Sequence, residues 1–204
     1  LHGTDSLFYS FQSGLGINFY ALSSYYLGSF FSPLVYFFNA QSMPDAVYLI
    51  TLLKFGAIGL STYISLHGMF SKIPRSLVLT LSTSFALMSF AISQIEIKTW
   101  LDVFILAPLI LYGFKKLIYN EGEILYFISL TSLFIQNYYF GFMMSIFLIL
   151  WYLTQLSWDI KRIGKRFFHF VIVSLLSVIT SLVMLYPTFL DLRTHGESFS
   201  KVDS

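Results

Sequence analysis

Short polar interruptions divide the chain into apolar runs of membrane length. Val47–Leu66, Leu77–Ser93, Leu101–Ile118 and Phe167–Tyr186 each come near the roughly 20 residues that a helix needs to cross a hydrocarbon core. Between them lie a short basic turn from His67 to Arg75, a polar run from Gln94 to Lys98, a charged turn from Lys115 to Glu123 and a basic stretch from Trp158 to Arg166. Ile124–Tyr152 is too long for one comfortable span and is broken by Gln136-Asn137-Tyr138-Tyr139. It is therefore expected to go out and come back as two short helices, with the turn at Asn137 in or near one leaflet. Pro187 is expected to stop the last span, leaving 191–204 as the start of an outer loop.

The first 45 residues follow a different pattern. Leu1–Tyr20 is polar, aromatic and turn-rich around Gly14-Leu15-Gly16 and Asn18, and reads as a loop at the membrane surface. Ala21–Asn39 carries Tyr25, Tyr26, Gly28, Ser29, Ser32 and Pro33, which suits a short, broken or interfacial helix. Ser42-Met43-Pro44-Asp45 then has the chemistry of a helix start, with Ser42 as the expected cap. The chain thus divides into an outer loop and interfacial helix over 1–45, membrane helices over 46–190 and a hydrophilic tail over 191–204. The fold class is all-α: a polytopic transmembrane helical bundle of about six membrane segments plus a short interfacial helix.

Composition agrees with a bilayer setting, since only 11% of the 204 residues are charged, whereas a soluble domain carries about one-quarter. With no cysteine there is no disulfide, zinc-thiolate site or thiol catalysis, and a net charge of +2 is too small to point to nucleic acid. The chain opens at Leu1 without the basic start, apolar core and small-residue cleavage site of a signal peptide, and it reads as a piece of a longer protein. Eight of the 12 basic residues (Lys72, Arg75, Lys115, Lys116, Lys161, Arg162, Lys165, Arg166) fall in three alternate loops, which the positive-inside tendency assigns to the cytoplasm. Asp5, Asp45, Glu96, Asp102, Asp191, Glu197 and Asp203 then all face outward.

The outer face collects the candidate chemistry, and each feature has two readings. Thr99-Trp100-Leu101-Asp102 is either a capping box or the carboxylate-bearing mouth of a site, and Trp100 is an interfacial anchor or a sugar platform. Asn137, Tyr138 and Tyr139 relieve a tight turn or bind a ligand. Lys54, about 12 Å into its span by helical rise, snorkels to the outer interface or meets an anion such as a phosphate. Gly14-x-Gly16 has no preceding strand and is no dinucleotide fingerprint; His67, His169 and His195 lack ligand-spaced companions.

Several of these stretches recur in one known family. Tyr9-Ser10-Phe11 through Gly14-Leu15-Gly16-Ile17-Asn18-Phe19, Tyr25-Tyr26-Leu27-Gly28-Ser29, Ser32-Pro33, Lys54-Phe55-Gly56, Trp100-Leu101-Asp102 with Ala107-Pro108-Leu109, and Asn137-Tyr138-Tyr139 resemble, in order and spacing, the bacterial YfhO membrane-protein family. The resemblance implies a GT-C type glycosyltransferase of the bacterial cell membrane, taking a sugar from a polyprenyl-phosphate carrier on the extracytoplasmic side. The implied acceptor is a cell-envelope polymer such as lipoteichoic or wall teichoic acid of Gram-positive bacteria. It further implies that the main catalytic carboxylate lies upstream of Leu1. Ile17 departs from the family's pattern, where a glycine is expected. On this reading Asp102 is the catalytic candidate within the chain. Asn18, Tyr25, Tyr26, Lys54, Trp100, Asn137, Tyr138 and Tyr139 are the substrate-binding ones, no cofactor is identified, and a divalent metal stays open. A lipid or sugar transporter or flippase, drawing on Lys54 and the broken helix pair, and a non-catalytic membrane scaffold are the alternatives.

Overall fold

A computed structural model describes residues 9–10, 17–18, 29–154 and 160–200, and apart from one tiny ladder every regular element in it is helical. The ladder pairs β1 (Tyr9–Ser10) with β2 (Ile17–Asn18), antiparallel, with Tyr9 opposite Asn18. Two 3₁₀ turns, Ser32–Phe37 and Ala40–Ser42, lead into α1 (Met43–Met69). There follow α2 (Arg75–Ala86), α3 (Ser89–Ser93), α4 (Lys98–Ile118), α5 (Ile124–Gln136), α6 (Tyr138–Thr154) and α7 (Ile160–Ser200). Ala40–Met69, Arg75–Ser93 and Arg166–Val183 are long and apolar enough to cross a membrane, with α5 and α6 as shorter apolar helices beside them.

Burial follows membrane logic rather than that of a water-soluble core. On α1 the residues turned inward are Ala46, Ile50, Thr51, Lys54, Ile58, Ser61, Thr62 and Ser65, while Leu49, Leu52, Leu53, Leu60 and Ile64 face out. Small and polar side chains pack between helices because lipid offers leucine as good a home as the protein does. Hydroxyls withdrawn from lipid bond back to their own helix: Thr62 donates to the Ile58 carbonyl at 2.7 Å, Ser82 to Val78 at 2.7 Å and Ser177 to Val173 at 3.0 Å.

Pairwise contacts fix the direction of each helix. Lys54 meets Asp102 near one end of α1 and α4 while Gly68 meets Tyr112 near the other, so these two run parallel. α2 returns antiparallel along α1, α5 returns along α4 from the Gly113–Tyr126 contact, and α6 again parallels α4, with Phe140 on Trp100 and Trp151 on Phe114. α7 follows α5, where the Tyr126 hydroxyl lies 2.8 Å from Ser174 Oγ. The C-terminal ends of α1, α4 and α6, next to which the basic clusters fall in the sequence, therefore share one end of the bundle. The starts of α1 and α4 and the break at Asn137 share the other.

Four local expectations change. The run Leu77–Ser93 is not one helix: Met88 adopts an extended ψ of 145°, and this lets both Phe85 and Phe90 reach the Phe104 ring, at 6.4 and 5.8 Å. On a continuous helix, residues five apart would point in divergent directions. Ser42 makes no side-chain cap, because the 3₁₀ turn before α1 runs directly into the helix. Thr99 forms no capping box either. α4 begins at Lys98, and the Trp100 N–H is already satisfied by the Ile97 carbonyl at 2.9 Å. Finally, α7 does not stop at Pro187 but continues to Ser200, since proline removes one rung of the ladder and membrane helices tolerate that loss.

Backbones come closest where α4 crosses α5. A Cβ on Gly113 would sit 2.6 Å from the Tyr126 nitrogen, so a side chain there forces the two helices apart, whereas a Cβ on Gly56 of α1 meets nothing within 4 Å. Gly113→Ala is expected to cost about 1–3 kcal/mol. Gly56→Ala should be neutral or stabilising by up to about 1 kcal/mol. Thermal unfolding of the two variants in one detergent checks the contrast.

Candidate functional site

Lys54 and Asp102 form the chemical centre of the described structure. The Lys54 ammonium donates to Asp102 Oδ2 at 2.8 Å, with the two side chains 1% and 2% exposed. Snorkelling, one of the two readings of Lys54, is not what happens. A four-carbon stem cannot cover about 12 Å of helix, and the parallel start of α4 offers a carboxylate at the same level. Asp102 lies within the first turn and a half of α4, where the positive end of the helix dipole favours an anion. Two charges taken out of water are tolerable only as a well-made pair, and this one has a near-ideal charge-assisted distance.

The surroundings complete the pair unevenly. The Lys54 ammonium lies 5.8 Å from the centroid of the Phe31 ring, and the Ser29 hydroxyl stands beside the Asp102 carboxylate. Asp102 Oδ1 is nevertheless buried with no hydrogen bond, and so are both polar atoms of the Gln136 side chain. The carboxylate thus keeps one oxygen committed and one bare.

The break at Asn137 occurs where the polar run placed it, with φ −155° and ψ 93° at that residue. Asn137 Oδ1 accepts the Phe140 N–H at 3.2 Å, which caps α6, so its carbonyl group serves the turn. Gly141 allows the hairpin to close, because a Cβ there would lie 2.6 Å from the Phe134 ring. Trp100 packs edge-on against Phe140 with centroids 5.3 Å apart and thereby ties the mouth of α4 to the start of α6. Tyr138 is half-buried beside the turn; Tyr139 is 58% exposed and turned away from the bundle, its ring resting on Phe140.

Of the residues singled out from sequence, Lys54 and Asp102 come into contact, and Trp100, Asn137 and Tyr138 gather at the same end of the bundle. Asn18 is placed only by its backbone, in β2. Tyr25 and Tyr26, like Gly14 and Gly16, lie outside the described residues. Two contributors were overlooked: Ser29, and Gln136, whose signal was an amide inside an otherwise apolar helix just before the break. No group of three His, Asp or Glu side chains among the described residues is arranged to hold a metal. His67 stacks on Tyr63, and His169 pairs with Glu123 at the far, basic end.

Below the ion pair, toward that basic end, a cleft of about 700 Å³ opens between α1, α2, α4 and α6. Thr62, Ser65, Phe85, Phe104, Pro108 and Trp151 line it, and its walls are almost wholly apolar.

The family model for the bacterial membrane protein YfhO matches residues 1–204. No curated protein and no solved structure matches the chain.

The pair's contribution can be read in a double-mutant cycle. Asp102→Leu or Lys54→Met alone leaves a charge buried and is expected to cost about 3–5 kcal/mol, whereas Lys54→Met combined with Asp102→Leu should return stability to near or above the starting value. Thermal midpoints of the four proteins in detergent give the coupling.

Proposed function

The chain belongs to the YfhO family of bacterial membrane proteins, and from that premise and the buried ion pair we propose that it is the membrane core of a GT-C type glycosyltransferase. The reaction moves a sugar from a polyprenyl-phosphate carrier to an extracytoplasmic glycopolymer such as lipoteichoic or wall teichoic acid. The observation that carries the reading is Lys54–Asp102: a charge pair at 2.8 Å, sealed from solvent, with one carboxylate oxygen unsatisfied. A bundle that needed only packing at this point would gain as much or more from apolar side chains.

The chemistry asks for three things: a stabilised phosphate leaving group, a carboxylate near the acceptor hydroxyl and a fixed orientation of the sugar. Lys54 supplies a cation for the carrier phosphate, already desolvated and held in place by its partner. Asp102 presents its bare oxygen to a hydroxyl. Trp100 stands at the mouth and Asn137 and Tyr138 line the same end, while Asn18, Tyr25 and Tyr26 are the remaining candidates for holding the sugar. The apolar cleft gives the prenyl chain a path along the bundle. The end carrying these groups is extracytoplasmic, because the opposite end holds the basic turns.

A second reading draws on the interrupted helices at Leu87–Met88 and Asn137, since discontinuous membrane helices also mark transport sites. It assigns movement of the same lipid across the bilayer without cleavage.

The test is transfer of labelled sugar from polyprenyl phosphate to acceptor by the reconstituted full-length protein. Asp102→Asn should abolish transfer. Asp102→Glu, which keeps the charge but shifts its oxygens by about 1 Å, should insert and fold normally and still lose on the order of 10²-fold. Label that changes leaflet while staying on its carrier identifies the transporter; unaltered transfer in Asp102→Glu removes Asp102 from the site.

A further inference from the structure

Gln136 stands apart from the other buried polar side chains of the bundle. It is 1% exposed, and neither Oε1 nor Nε2 has a hydrogen-bond partner. The hydroxyls of Ser65 and Thr131 are also unpartnered, but each can swing to a carbonyl of its own helix, as Thr62, Ser82 and Ser177 do. An amide that leaves both its donor and its acceptor bare has a much larger penalty and no such local relief.

Position adds to this. Gly113 lies against Tyr126 where α4 and α5 cross, and ten residues back along one antiparallel helix and ten forward along the other set Gln136 level with Val103, beside Asp102. Two unsatisfied groups, Asp102 Oδ1 on α4 and the Gln136 amide on α5, therefore share one level of the bundle at the end where α5 breaks.

We infer that Gln136 is a substrate-binding residue, and that with Asp102 Oδ1 it takes the hydroxyl groups of the transferred sugar, an inference that rests on the glycosyl-transfer reading above. The donor and acceptor inventory selects this ligand class. A carboxylate oxygen and an amide carbonyl are both acceptors and repel a phosphate, whereas a sugar hydroxyl can donate to either and accept from Nε2. A pair of neighbouring hydroxyls satisfies the amide on both sides. The phosphate falls to Lys54, and the carbohydrate to the Gln136 amide and Asp102 Oδ1.

A group kept unsatisfied for a ligand gives stability and binding opposite signs on removal. The full-length protein in detergent is compared with Gln136→Met and Gln136→Leu by thermal shift. The probes are short-chain prenyl phosphate, bare or carrying glucose, galactose or N-acetylglucosamine. Wild type is expected to gain an extra shift from at least one sugar-bearing probe over the bare lipid. The variants should melt at or above the wild-type midpoint without ligand, respond to bare prenyl phosphate as wild type does, and lose the sugar preference by on the order of tenfold in affinity. A sugar-dependent shift that survives in either variant overturns the assignment of Gln136. A wild type that answers the bare lipid but no sugar-bearing probe also overturns it, while leaving the lipid-carrier reading standing. Silence toward all four probes overturns both.

Discussion

A lysine and an aspartate held together where neither could stand alone is the constraint around which this bundle is arranged. Forty-eight residues separate Lys54 and Asp102 in the chain, and their contact requires α1 and α4 to run parallel at one relative height. That height places Gly68 under the Tyr112 ring and brings Lys115, at the far end, to the Met69 carbonyl and the Phe70 ring. Since lipid gives apolar faces little reason to prefer one register over another, a buried charge pair is one of the few interactions strong enough to select it.

Selecting a register differs from adding stability. The second packing region, around Phe114, Tyr126, Tyr152 and Phe170, holds α4, α5, α6 and α7 through aromatic contact, including a stacked Tyr152–Phe170 pair with centroids 5.7 Å apart. It lies toward the basic end and is built from aromatic and aliphatic side chains. The charge pair and the unpartnered Gln136 amide lie at the opposite end, and the proposed chemistry resides there.

Much of this was legible from residue order, and the rest failed for identifiable reasons. The spans, the turn at Asn137 and the gathering of basic turns at one end follow from where polar residues interrupt apolar ones. Lys54 stood out as an expensive residue, yet its partner depended on a helix pairing that no local pattern encodes. Ser42 and Thr99 were misjudged because cap chemistry presumes a helix end in need of donors, whereas here a 3₁₀ turn and the Ile97 carbonyl already meet the need. Pro187 was given the force it has in water. Gln136 was visible as an amide in an apolar helix, but only its burial without a partner distinguishes it from its neighbours Asn137 and Tyr138.

The 41 residues of α7 extend about 60 Å by helical rise, twice the thickness of a hydrocarbon core of about 30 Å. The apolar run of its sequence closes at Tyr186, so the helix beyond it, 187–200 and about 20 Å long, continues past that run on the side where the ion pair lies. The last span is thus also a mast, which carries the polar stretch 191–200 out beyond the headgroups and holds it at a fixed stand-off from the membrane surface.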